Sequence, residues 1–448
     1  MTEQFDLIVL GSGSGARDGA NKAQREHGAR VALIESTRWG GSCPNVACKP
    51  TKAYLVAAEL ANDIETLANK LGIEVGPSYP NLAKIKARKD SLIVSSDTWM
   101  ERLHGAGHAT YDGVGSFLDA QSVQVNGSRL SAERILVATG SRTAVPPIEG
   151  LDEVGWIDHV SALELTELPK SLLVVGGGPV GLELAQIFFR FGSKVTVVQG
   201  ADRISPRSDA DATDQLTASF VDEGIDIRTG ATVSRVAPGV AVVDGAEVPA
   251  ERVLLASGRT PNVEELDLDR AGVEYGRGGI EVDDRMSTSV AGIWAAGDVA
   301  AGPQFTPTAQ YEARVAVENM FGSNGVRADY DWLPTAIFTD PELAAVGLTE
   351  QEARDRWLDV ETAVHPIHYV QRSSYTDIKH GLYKLVWERA SRRMLGLHIV
   401  CRNASDVVQG LALALKLGAT VDDLAGMHHA FPTWGEGVKA AAEQALVS

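Results

Sequence analysis

The chain contains 448 residues, 44% of them hydrophobic, and carries a formal net charge of −18 at pH 7. This length is enough for about three domains, each with its own hydrophobic core. The negative charge argues against nucleic acid and against an anionic membrane surface as partners. The first residues include neither a basic region nor an apolar signal core, and no apolar run could span a bilayer, so the sequence predicts a cytoplasmic protein without membrane association.

The first predicted elements form a nucleotide-binding unit. The apolar run of residues 5–10 predicts a buried parallel strand, and a turn with three glycines connects it to a helix. Two of these glycines would let the backbone approach a pyrophosphate, whose charge the amino terminus of the helix attracts. A glutamate ends the next strand, where it can accept hydrogen bonds from ribose hydroxyls. The candidate residues are Gly11, Gly13, Ser14, Gly15 and Glu35.

Two cysteines, Cys43 and Cys48, follow this unit at a spacing of five residues. In a regular helix, residues at that spacing stand about 7.5 Å apart along the axis, whereas a disulfide needs its Cα atoms within about 7 Å. Pro44 and Pro50 would help to impose the irregular turn that such a bond requires. Two unrelated thiols are the ordinary interpretation of a bare pair, but the position directly after a nucleotide-binding unit favours a redox-active pair. Cys401 is predicted to be structural.

A second unit of the same kind begins near residue 172. An apolar run again leads into a glycine-rich turn, and a helix returns to the strand 194–198, so the chain is predicted to bind two dinucleotides. After this strand Gln199 replaces the carboxylate that would bind a free 2′-hydroxyl, and Arg203 and Arg207 follow, which favours the 2′-phosphate of NADPH. NADH stays possible because Gln199 could bond a hydroxyl and both arginines could be solvated. The candidate residues are Gly176, Gly178, Val180, Gln199, Arg203 and Arg207.

Four later segments complete the pattern in chain order. Together with the two glycine turns and the cysteine pair, they make the chain resemble the class I flavoprotein disulfide reductases, the family of dihydrolipoamide dehydrogenase, glutathione reductase and mercuric reductase. The likeness covers nearly the whole length. The four segments are 135–141, 253–262, 292–299 and 305–309.

The resemblance implies a non-covalently bound FAD and a nicotinamide cofactor. In the family, the aspartate that corresponds to Asp298 bonds the ribityl chain, and the helix that begins near Thr306 faces the flavin with its positive end. Beyond the residues of the two turns, the resemblance assigns to cofactor binding Gly41, Ser42, Lys52, Gly115, Thr139, Gly140, Ser141, Glu183, Gly258, Asp298, Thr306, Thr308 and Ala309.

The same resemblance implies an α/β fold with two Rossmann-like domains, which bind FAD and NAD(P)H, and a C-terminal α+β dimerisation domain. The predicted FAD domain is split between residues 1–145 and 264–325, the NAD(P)H domain is 146–263, and the dimerisation domain is 326–448. The segment 338–349 resembles the start of the family's interface domain, which implies a homodimer.

The family mechanism implies a path for the electrons. NADPH would reduce the flavin, and the flavin would reduce a disulfide between Cys43 and Cys48. Cys48 would become the thiolate nearest the ring, and Cys43 would face the substrate. Lys52 and Glu183 match an ion pair that the family places near the flavin, where a cation stabilises negative charge. From the sequence pattern alone, both would be exposed helix residues.

The sequence departs from the family pattern near its end. The disulfide reductases carry a His-Pro pair with a glutamate five residues after the histidine, and this histidine transfers protons from the partner subunit. Here Pro432 and Glu436 align with that pattern, and Phe431 occupies the histidine position. A phenyl ring transfers no proton, and such a loss costs roughly two to four orders of magnitude in a proton-transfer step. His429 is either a replacement or a structural histidine. The candidate catalytic residues are Cys43, Cys48, Lys52, Glu183, His429 and Glu436.

These features leave several small-molecule electron acceptors open. The leading hypothesis is an NAD(P)H-dependent FAD enzyme that passes electrons through Cys43 and Cys48 to a small disulfide or a related acceptor. A mercuric-reductase-like role fits the missing His-Pro pair because thiolates are soft metal ligands, but residues 444–448 contain no cysteine pair. A quinone reductase would release electrons directly from the flavin. A non-catalytic flavin-binding redox sensor is the alternative from another class. No resident metal site is predicted.

Overall fold

The computed structural model of the chain describes residues 2–322, 325–356 and 358–446. The backbone contacts divide the chain into two compact units. The first contains the residues up to Pro50 together with Lys89–Ala144 and Gly258–Asp329, and the second contains Thr51–Arg88, Val145–Ser257 and the residues from Tyr330 onward. Each unit includes a parallel sheet that leads into one of the two glycine turns.

A five-stranded parallel sheet forms the centre of the first unit. Its middle strand, Leu7–Leu10, is apolar and buried at every position, as expected for a parallel strand that is covered on both faces. The first glycine turn begins at the carboxyl end of this strand, the usual edge for nucleotide binding in such folds. In spatial order the strands are Ile293–Ala295, Ile135–Val137, Leu7–Leu10, Val31–Glu35 and Ala109–Asp112.

Smaller sheets and helices complete the first unit. A four-stranded sheet has the order Thr2–Phe5, Ser128–Ala132, Ser122–Val125 and Ser116–Asp119. Two antiparallel pairs join Arg259–Pro261 to Ser141–Thr143 and Tyr275–Gly276 to Gly279–Ile280. The helices are Ser14–His27, Ser42–Asn45, Ser96–Gly105, Leu268–Ala271 and Thr306–Phe321. The helices Cys48–Thr66 and Leu82–Ser91 have residues in both units.

Two helices of the first unit pack closely because a small residue lies between them. The helix Ser14–His27 contacts the helix Thr306–Phe321. A Cβ atom added to Gly15 would lie 2.6 Å from the carbonyl oxygen of Ala309, so only glycine allows this approach. Since both residues belong to the first turns of their helices, the contact brings the two amino termini together.

The described part of the second unit contains three sheets. A parallel sheet has the order Asp226–Thr229, Lys194–Gln199, Ser171–Val175 and Arg252–Leu255. A three-stranded antiparallel sheet has the order Val233–Ala237, Gly239–Val243 and Ala246–Ala250. A five-stranded antiparallel sheet has the order Thr335–Ile337, Glu342–Gly347, Met394–Cys401, Leu382–Glu388 and Val360–Pro366.

The helices of the second unit cover these sheets. The earlier ones are Leu151–Val154, His159–Ala162, Pro179–Arg190 and Ala210–Glu223. The later ones are Glu350–Asp355, the 3₁₀ helix Ile367–Tyr369, Ser373–Thr376, Ala404–Lys416, Val421–Gly426 and Glu436–Gln444.

A buried lysine fixes the segment that follows Gln199 in the second unit. Lys384 is 2% exposed, and its Nζ lies 3.0 Å from Asp209 Oδ2, 2.7 Å from Asp211 Oδ2 and 2.9 Å from Glu350 Oε2. Three carboxylates around one buried ammonium group compensate for its lost hydration. The cluster therefore anchors the end of the segment between Gln199 and Asp209.

The prediction of an α/β fold is confirmed, with one difference in detail. The predicted strand 5–10 is divided, because Asp6 separates a strand that ends at Phe5 from one that begins at Leu7. The Asp6 carboxylate accepts a hydrogen bond of 2.8 Å from the backbone N–H of Arg30. Among the described helices, none has the length and apolar character needed to cross a membrane.

Candidate active site

The first glycine turn leaves open space at the start of a helix. Gly11 has φ of +108°, and a Cβ atom there would lie 2.3 Å from the carbonyl oxygen of Ala138, so a larger residue does not fit. Gly13 precedes the helix, and an added Cβ atom would have no described neighbour within 4 Å. No described side chain caps this helix, so its first N–H groups are available to a ligand. This arrangement fits the pyrophosphate of a dinucleotide.

The Glu35 carboxylate is held at the same turn. Its Oε2 accepts hydrogen bonds from the backbone N–H of Ser12 at 3.0 Å and from Ser12 Oγ at 2.6 Å. Its Oε1 accepts two more from Thr37, each at 2.9 Å. The structure therefore gives Glu35 a role in fixing the turn, and its contact with a ribose stays a prediction.

The thiol segment, residues 40–48, packs against this turn. Gly41 has φ of +74°, and a Cβ atom there would lie 2.4 Å from the Cα atom of Gly13. Cys43 lies in a short helix that ends before Cys48 begins the next helix. The predicted irregular turn between the cysteines is therefore present, and it lies beside the glycine turn.

Cys43 and Cys48 are not joined by a disulfide bond in the structure. The hydrogen bond between Cys43 and Cys48, followed by burial and the charge of Cys48, raises the pKa of the Cys43 thiol far above its usual value. Thr306 and Arg17 act in the opposite direction on this pKa. The hydroxyl of Thr306 is also 3.5 Å from Cys48 Sγ. The pair therefore favours one negative charge between two sulfur atoms over two charges.

Asp298 is held in a polar cluster with residues from two other motifs. Its Oδ2 accepts a hydrogen bond of 2.7 Å from Ser141 Oγ and lies 3.3 Å from Arg259 Nε. Arg259 also donates to the carbonyl oxygen of Ser141 at 2.6 Å. Beside them, Thr139 Oγ1 donates to the carbonyl oxygen of Asn262 at 2.8 Å. Three motifs that are far apart in the sequence thus meet in one cluster.

The helix Thr306–Phe321 begins beside the thiols, and no described side chain caps it. Its positive end is therefore available to a partial negative charge, as the family resemblance implies for a flavin oxygen. Thr308 is 3% exposed, so its side chain packs inside the unit, and Ala309 contacts Gly15.

The remaining small residues predicted near the FAD have structural positions. Gly115 is buried, and a Cβ atom there would lie 2.8 Å from Leu10 Cδ2. The carbonyl oxygen of Gly258 accepts a hydrogen bond of 3.0 Å from the N–H of Ala144. Ser42 begins the short helix, and Gly140 lies between two members of the Asp298 cluster. Their contact with a cofactor stays a prediction.

The second glycine turn is built like the first. A Cβ atom on Gly176 would lie 2.3 Å from the carbonyl oxygen of Ala256, and one on Gly178 would have no described neighbour within 4 Å. The helix after Gly178 has no described side-chain cap, and Val180 in its first turn is 38% exposed. These features fit a second dinucleotide.

The three candidate side chains at and after the end of the strand Lys194–Gln199 differ in their contacts. Gln199 Oε1 accepts a hydrogen bond of 2.8 Å from the N–H of Gly177, which ties the end of the strand to the glycine turn. Arg203 Nη2 makes a weak contact of 3.4 Å with the carbonyl oxygen of Pro206, while Arg203 Nε is buried without a partner among the described residues. Arg207 is exposed.

Lys52 and Glu183 form an ion pair, as the family resemblance implies. Lys52 Nζ lies 2.8 Å and 2.9 Å from the two carboxylate oxygens of Glu183. Glu183 is 5% exposed and also accepts a hydrogen bond of 3.1 Å from the N–H of Phe338. Lys52 Nζ is 4.3 Å from the centroid of the Phe338 ring. The interpretation of both as exposed helix residues, drawn from the pattern alone, is therefore wrong for Glu183, because its charge is compensated inside the fold.

The C-terminal candidates do not form a proton-transfer pair in the structure. Phe431 is 75% exposed. His429 Nε2 and Glu436 Oε2 are buried, and neither has a hydrogen-bond partner among the described residues. Burial lowers the pKa of His429, Lys439 lowers it further, and Glu436 opposes them. The other carboxylate oxygen of Glu436, Oε1, accepts a hydrogen bond from the backbone N–H of Gln371. A catalytic role of His429 or Glu436 stays a prediction.

Two residues near the thiols were not predicted from the sequence. Arg17 affects the pKa of Cys43, and the ring of Trp99 lies against the thiol segment at Gly40. A charged residue in the first turn of a helix after a glycine turn was a usable signal for Arg17. No spacing or periodicity links Trp99 to Gly40.

Residues 5–313 match the family model of the pyridine nucleotide-disulphide oxidoreductases, and residues 333–442 match the dimerisation domain of that family. The chain belongs to this family. Its relatives include a mercuric reductase of Staphylococcus aureus, 36% identical across 98% of this chain and 82% of the relative. A dihydrolipoyl dehydrogenase of Thermus scotoductus is 35% identical across 98% of this chain and 97% of the relative.

A similar solved structure is the Cu(II) complex of the HOCl-induced flavoprotein disulfide reductase RclA from Escherichia coli. It is 27% identical, covers 99% of this chain and 100% of that chain, and superposes with a TM-score of 0.87. The prediction of a class I flavoprotein disulfide reductase is thus confirmed. As a pyridine nucleotide-disulphide oxidoreductase, the chain is an oxidoreductase of an FAD-dependent family and carries a dimerisation domain.

Proposed function

We propose that this protein transfers electrons from NADPH through FAD to Cys43 and Cys48, and from there to a thiophilic metal ion, with Cu(II) as the first candidate. The observation that carries the proposal is the hydrogen-bonded thiol pair in a chain whose acid–base position holds an exposed phenyl ring, Phe431. Two thiols can bind and reduce copper, because thiolates are soft ligands that favour Cu(I), the product of the reduction. A disulfide acceptor also needs a proton donor for its leaving thiolate.

The thiol pair supplies all the electrons that the reduction of the metal ion needs. Cys43 and Cys48 give one electron to each of two Cu(II) ions, an S–S bond forms, and two protons are released. The products are two Cu(I) ions and the disulfide, with copper as substrate. Since no proton has to reach the acceptor, Phe431 does not hinder this reaction. A small disulfide takes up two electrons and two protons, and a phenyl ring delivers neither proton.

The residues of the first unit would hold the flavin. A bound FAD would supply the two-electron chemistry that links the nicotinamide to the Cys43–Cys48 pair. We assign its pyrophosphate to the turn at Gly11 and Gly13 and its ribityl chain to Asp298. The uncapped helix that begins at Thr306 supplies a positive dipole near the thiols, which favours a thiolate there.

The second unit supports NADPH over NADH. The carboxamide oxygen of Gln199 is already engaged with the backbone of Gly177 and so is less available to a 2′-hydroxyl. Arg203 has a buried Nε without a described partner, and Arg207 is exposed. Guanidinium groups with free donors are the usual partners of a 2′-phosphate.

Relatives and similar structures of this chain support a metal acceptor. Two solved structures of RclA are Cu(II) complexes, one of them of a cysteine-to-serine mutant, and several relatives are named mercuric reductases. What these names state applies to those proteins and not directly to this chain. A small disulfide is the second candidate, favoured by the relatives named dihydrolipoyl dehydrogenase.

We further propose a homodimer and the division into an FAD domain (1–145 and 264–325), an NAD(P)H domain (146–263) and a dimerisation domain (326–448). The match of residues 333–442 to the family's dimerisation domain supports the homodimer and the third of these domains.

The experiment compares electron acceptors in cysteine variants of the flavin-bound protein. NADPH and NADH are first titrated anaerobically, and a long-wavelength absorption band at two electrons is expected from a Cys48 thiolate beside oxidised flavin. Turnover is then measured with Cu(II), Hg(II), a small disulfide and a quinone. We expect Cys43→Ser and Cys48→Ser each to lower Cu(II) reduction at least about a hundredfold while quinone reduction persists, because only the metal step uses the thiols.

Cys401→Ala is the matched control, since Cys401 is buried and lies outside the pair. It should reduce Cu(II) like the wild type. Full Cu(II) reduction in both serine variants would contradict the proposal and show that electrons leave directly from the flavin. Faster turnover of the small disulfide than of either metal would contradict the choice of acceptor.

A further inference from the structure

The arginine segment, residues 200–209, connects the strand Lys194–Gln199 to the helix Ala210–Glu223. It carries Arg203 and Arg207, the two guanidinium groups that the proposed function assigns to the 2′-phosphate of NADPH. Arg207 is exposed, and Arg203 makes only a weak side-chain contact of 3.4 Å within the segment. The direction of both guanidinium groups therefore depends on where the backbone of the segment is held.

The first anchor of the arginine segment is the second glycine turn. The backbone N–H of Ser205 donates a hydrogen bond of 2.8 Å to the carbonyl oxygen of Gly177. Ser205 is 6% exposed and has φ of +40°, and its hydroxyl oxygen lies 2.9 Å from that of Ser208. A residue other than glycine keeps such a backbone conformation only where its surroundings hold it there. The middle of the segment is thus tied to the turn that fits a pyrophosphate.

The second anchor comes from a distant part of the sequence. Asp209 ends the segment and is 2% exposed, and its Oδ1 accepts a hydrogen bond of 3.1 Å from the N–H of Asp211 in the next helix. Its Oδ2 lies 3.0 Å from Nζ of the buried Lys384. Lys384 belongs to the strand Leu382–Glu388, within the residues that match the family's dimerisation domain. A buried ammonium group is costly without its carboxylates, so Lys384 holds Asp209 in one place.

A held segment affects the two nicotinamide cofactors differently. Binding is weakened when a loop and its long side chains must first be ordered, and a segment that is already ordered avoids this cost. NADPH would need both arginines in place for its 2′-phosphate, whereas NADH has no phosphate there and makes no use of them. Loss of an anchor should therefore weaken the binding of NADPH far more than that of NADH.

We infer that Lys384 is a positioning residue for the recognition of the 2′-phosphate, and that it acts through Asp209 on the arginine segment. This inference rests on the proposed function, in which Arg203 and Arg207 bind that phosphate. It places a determinant of cofactor preference outside the predicted NAD(P)H domain, residues 146–263, in the strand of Lys384.

The test measures cofactor binding without turnover and without an acceptor. NADP⁺ and NAD⁺ carry the same adenosine groups as the reduced cofactors, and each is titrated calorimetrically into the oxidised, flavin-bound protein. We expect Lys384→Met to raise the Kd of NADP⁺ about tenfold and to change the Kd of NAD⁺ less than about twofold, because only the phosphate contacts are lost. Lys384→Arg should keep most of the preference, because it keeps the charge beside Asp209.

Asp209→Asn is the second variant, and it decides the test if Lys384→Met does not fold. Asparagine is as good a helix cap as aspartate, so this change mainly removes the charge that faces Lys384. Its ratio of the two Kd values should change in the same direction as in Lys384→Met. Glu350→Gln is the matched control, since Glu350 pairs with the same ammonium group at 2.9 Å but lies outside the segment. It should keep the wild-type ratio.

The Tm of every variant is measured with the titrations. An unchanged ratio in Asp209→Asn, or an equal loss of NADP⁺ and NAD⁺ binding in Lys384→Met, would overturn the inference and leave Lys384 a purely structural role. A change in Glu350→Gln as large as in Asp209→Asn would also overturn it. A wild-type protein without preference for NADP⁺ would contradict the proposed choice of NADPH together with this inference. Failure of Cu(II) reduction in the wild type would count against the proposed acceptor alone.

Discussion

At the scale of single residues, His398 shows how burial determines a protonation state. It is 1% exposed in the strand Met394–Cys401. Its Nε2 donates a hydrogen bond of 3.0 Å to the carbonyl oxygen of Leu348, and its Nδ1 is buried without a described partner. Burial lowers the pKa of His398 from its ordinary value of 6.5, so the fold favours the neutral form of the ring.

This histidine predicts a loss of stability in acid. Below pH 6.5 the unfolded chain binds a proton at His398 that the folded chain does not, so the contribution of the neutral ring is full above that pH and falls as the pH decreases. The expected loss is at most about 1.4 kcal/mol for each pH unit. Thermal unfolding at about pH 7.5 and about pH 5.5 should therefore show a smaller drop in Tm for His398→Gln than for the wild type.

His104→Gln is the control for this comparison, because His104 is exposed. Its drop in Tm between the two pH values should match that of the wild type. If His398→Gln and the wild type lose the same Tm in acid, His398 does not contribute to the pH dependence.

At the scale of elements, the two glycine turns share one design. Each has a glycine whose Cβ atom would meet a carbonyl oxygen at 2.3 Å, namely Gly11 and Gly176. Each also has a glycine with open space, Gly13 or Gly178, directly before a helix. The first kind is required by the fold itself. The second kind has room for a methyl group in the protein, so we expect any requirement for glycine there to come from a bound dinucleotide.

This distinction predicts the effects of matched alanine substitutions. Gly13→Ala should lower the affinity for FAD about tenfold and leave the affinity for NADPH unchanged, because the methyl group meets only the first dinucleotide. Gly178→Ala should do the reverse. Flavin content is measured by absorbance and nicotinamide binding by titration.

The stability of the protein provides the control. Gly13→Ala, stripped of cofactor, should unfold near the wild-type Tm, whereas Gly11→Ala should unfold well below it, because its methyl group would lie 2.3 Å from the carbonyl oxygen of Ala138. A shared loss of both cofactors in either single variant, or a large fall in Tm in Gly13→Ala, would contradict this account.

The elements differ in how well the sequence could predict them. The strand, turn and helix at each glycine unit were predicted because their signals are local: an apolar run, glycines at fixed spacing and a helix start. The contact of Trp99 with Gly40 joins segments that are far apart in the chain, and a single sequence has no periodic signal for it. The burial of Glu183 was missed from the pattern alone for the same reason, because its partners Lys52 and Phe338 come from distant segments.

At the scale of the whole molecule, the net charge of the chain affects the association of two chains. Each chain carries a formal net charge of −18, so two chains repel each other at low ionic strength. Sedimentation equilibrium should give twice the mass of the chain, and the dissociation constant of the dimer should fall as the salt concentration rises, because salt screens this repulsion. A monomer at all concentrations would contradict the homodimer, and a dimer weakened by salt would show that attractive ion pairs dominate the interface.

The acceptor is the part of the function that the sequence could not predict. The family motifs determine the cofactors and the fold, whereas the acceptor depends on a small number of groups around Cys43. The structure brings Arg17 against Trp99 and Trp99 against Gly40 of the thiol segment, and these contacts join segments that are far apart in the sequence.

The exposure of Phe431 has an evolutionary consequence. With 75% of its surface accessible in the single chain, the ring contributes little to packing within that chain, so exchanges at this position carry little cost in stability there. One base change turns a phenylalanine codon into a tyrosine codon, and a second turns tyrosine into histidine. The intermediate already has a hydroxyl that can donate a proton. Under the proposed function, this position would give the gene a short mutational route between acceptors that need a proton and acceptors that do not.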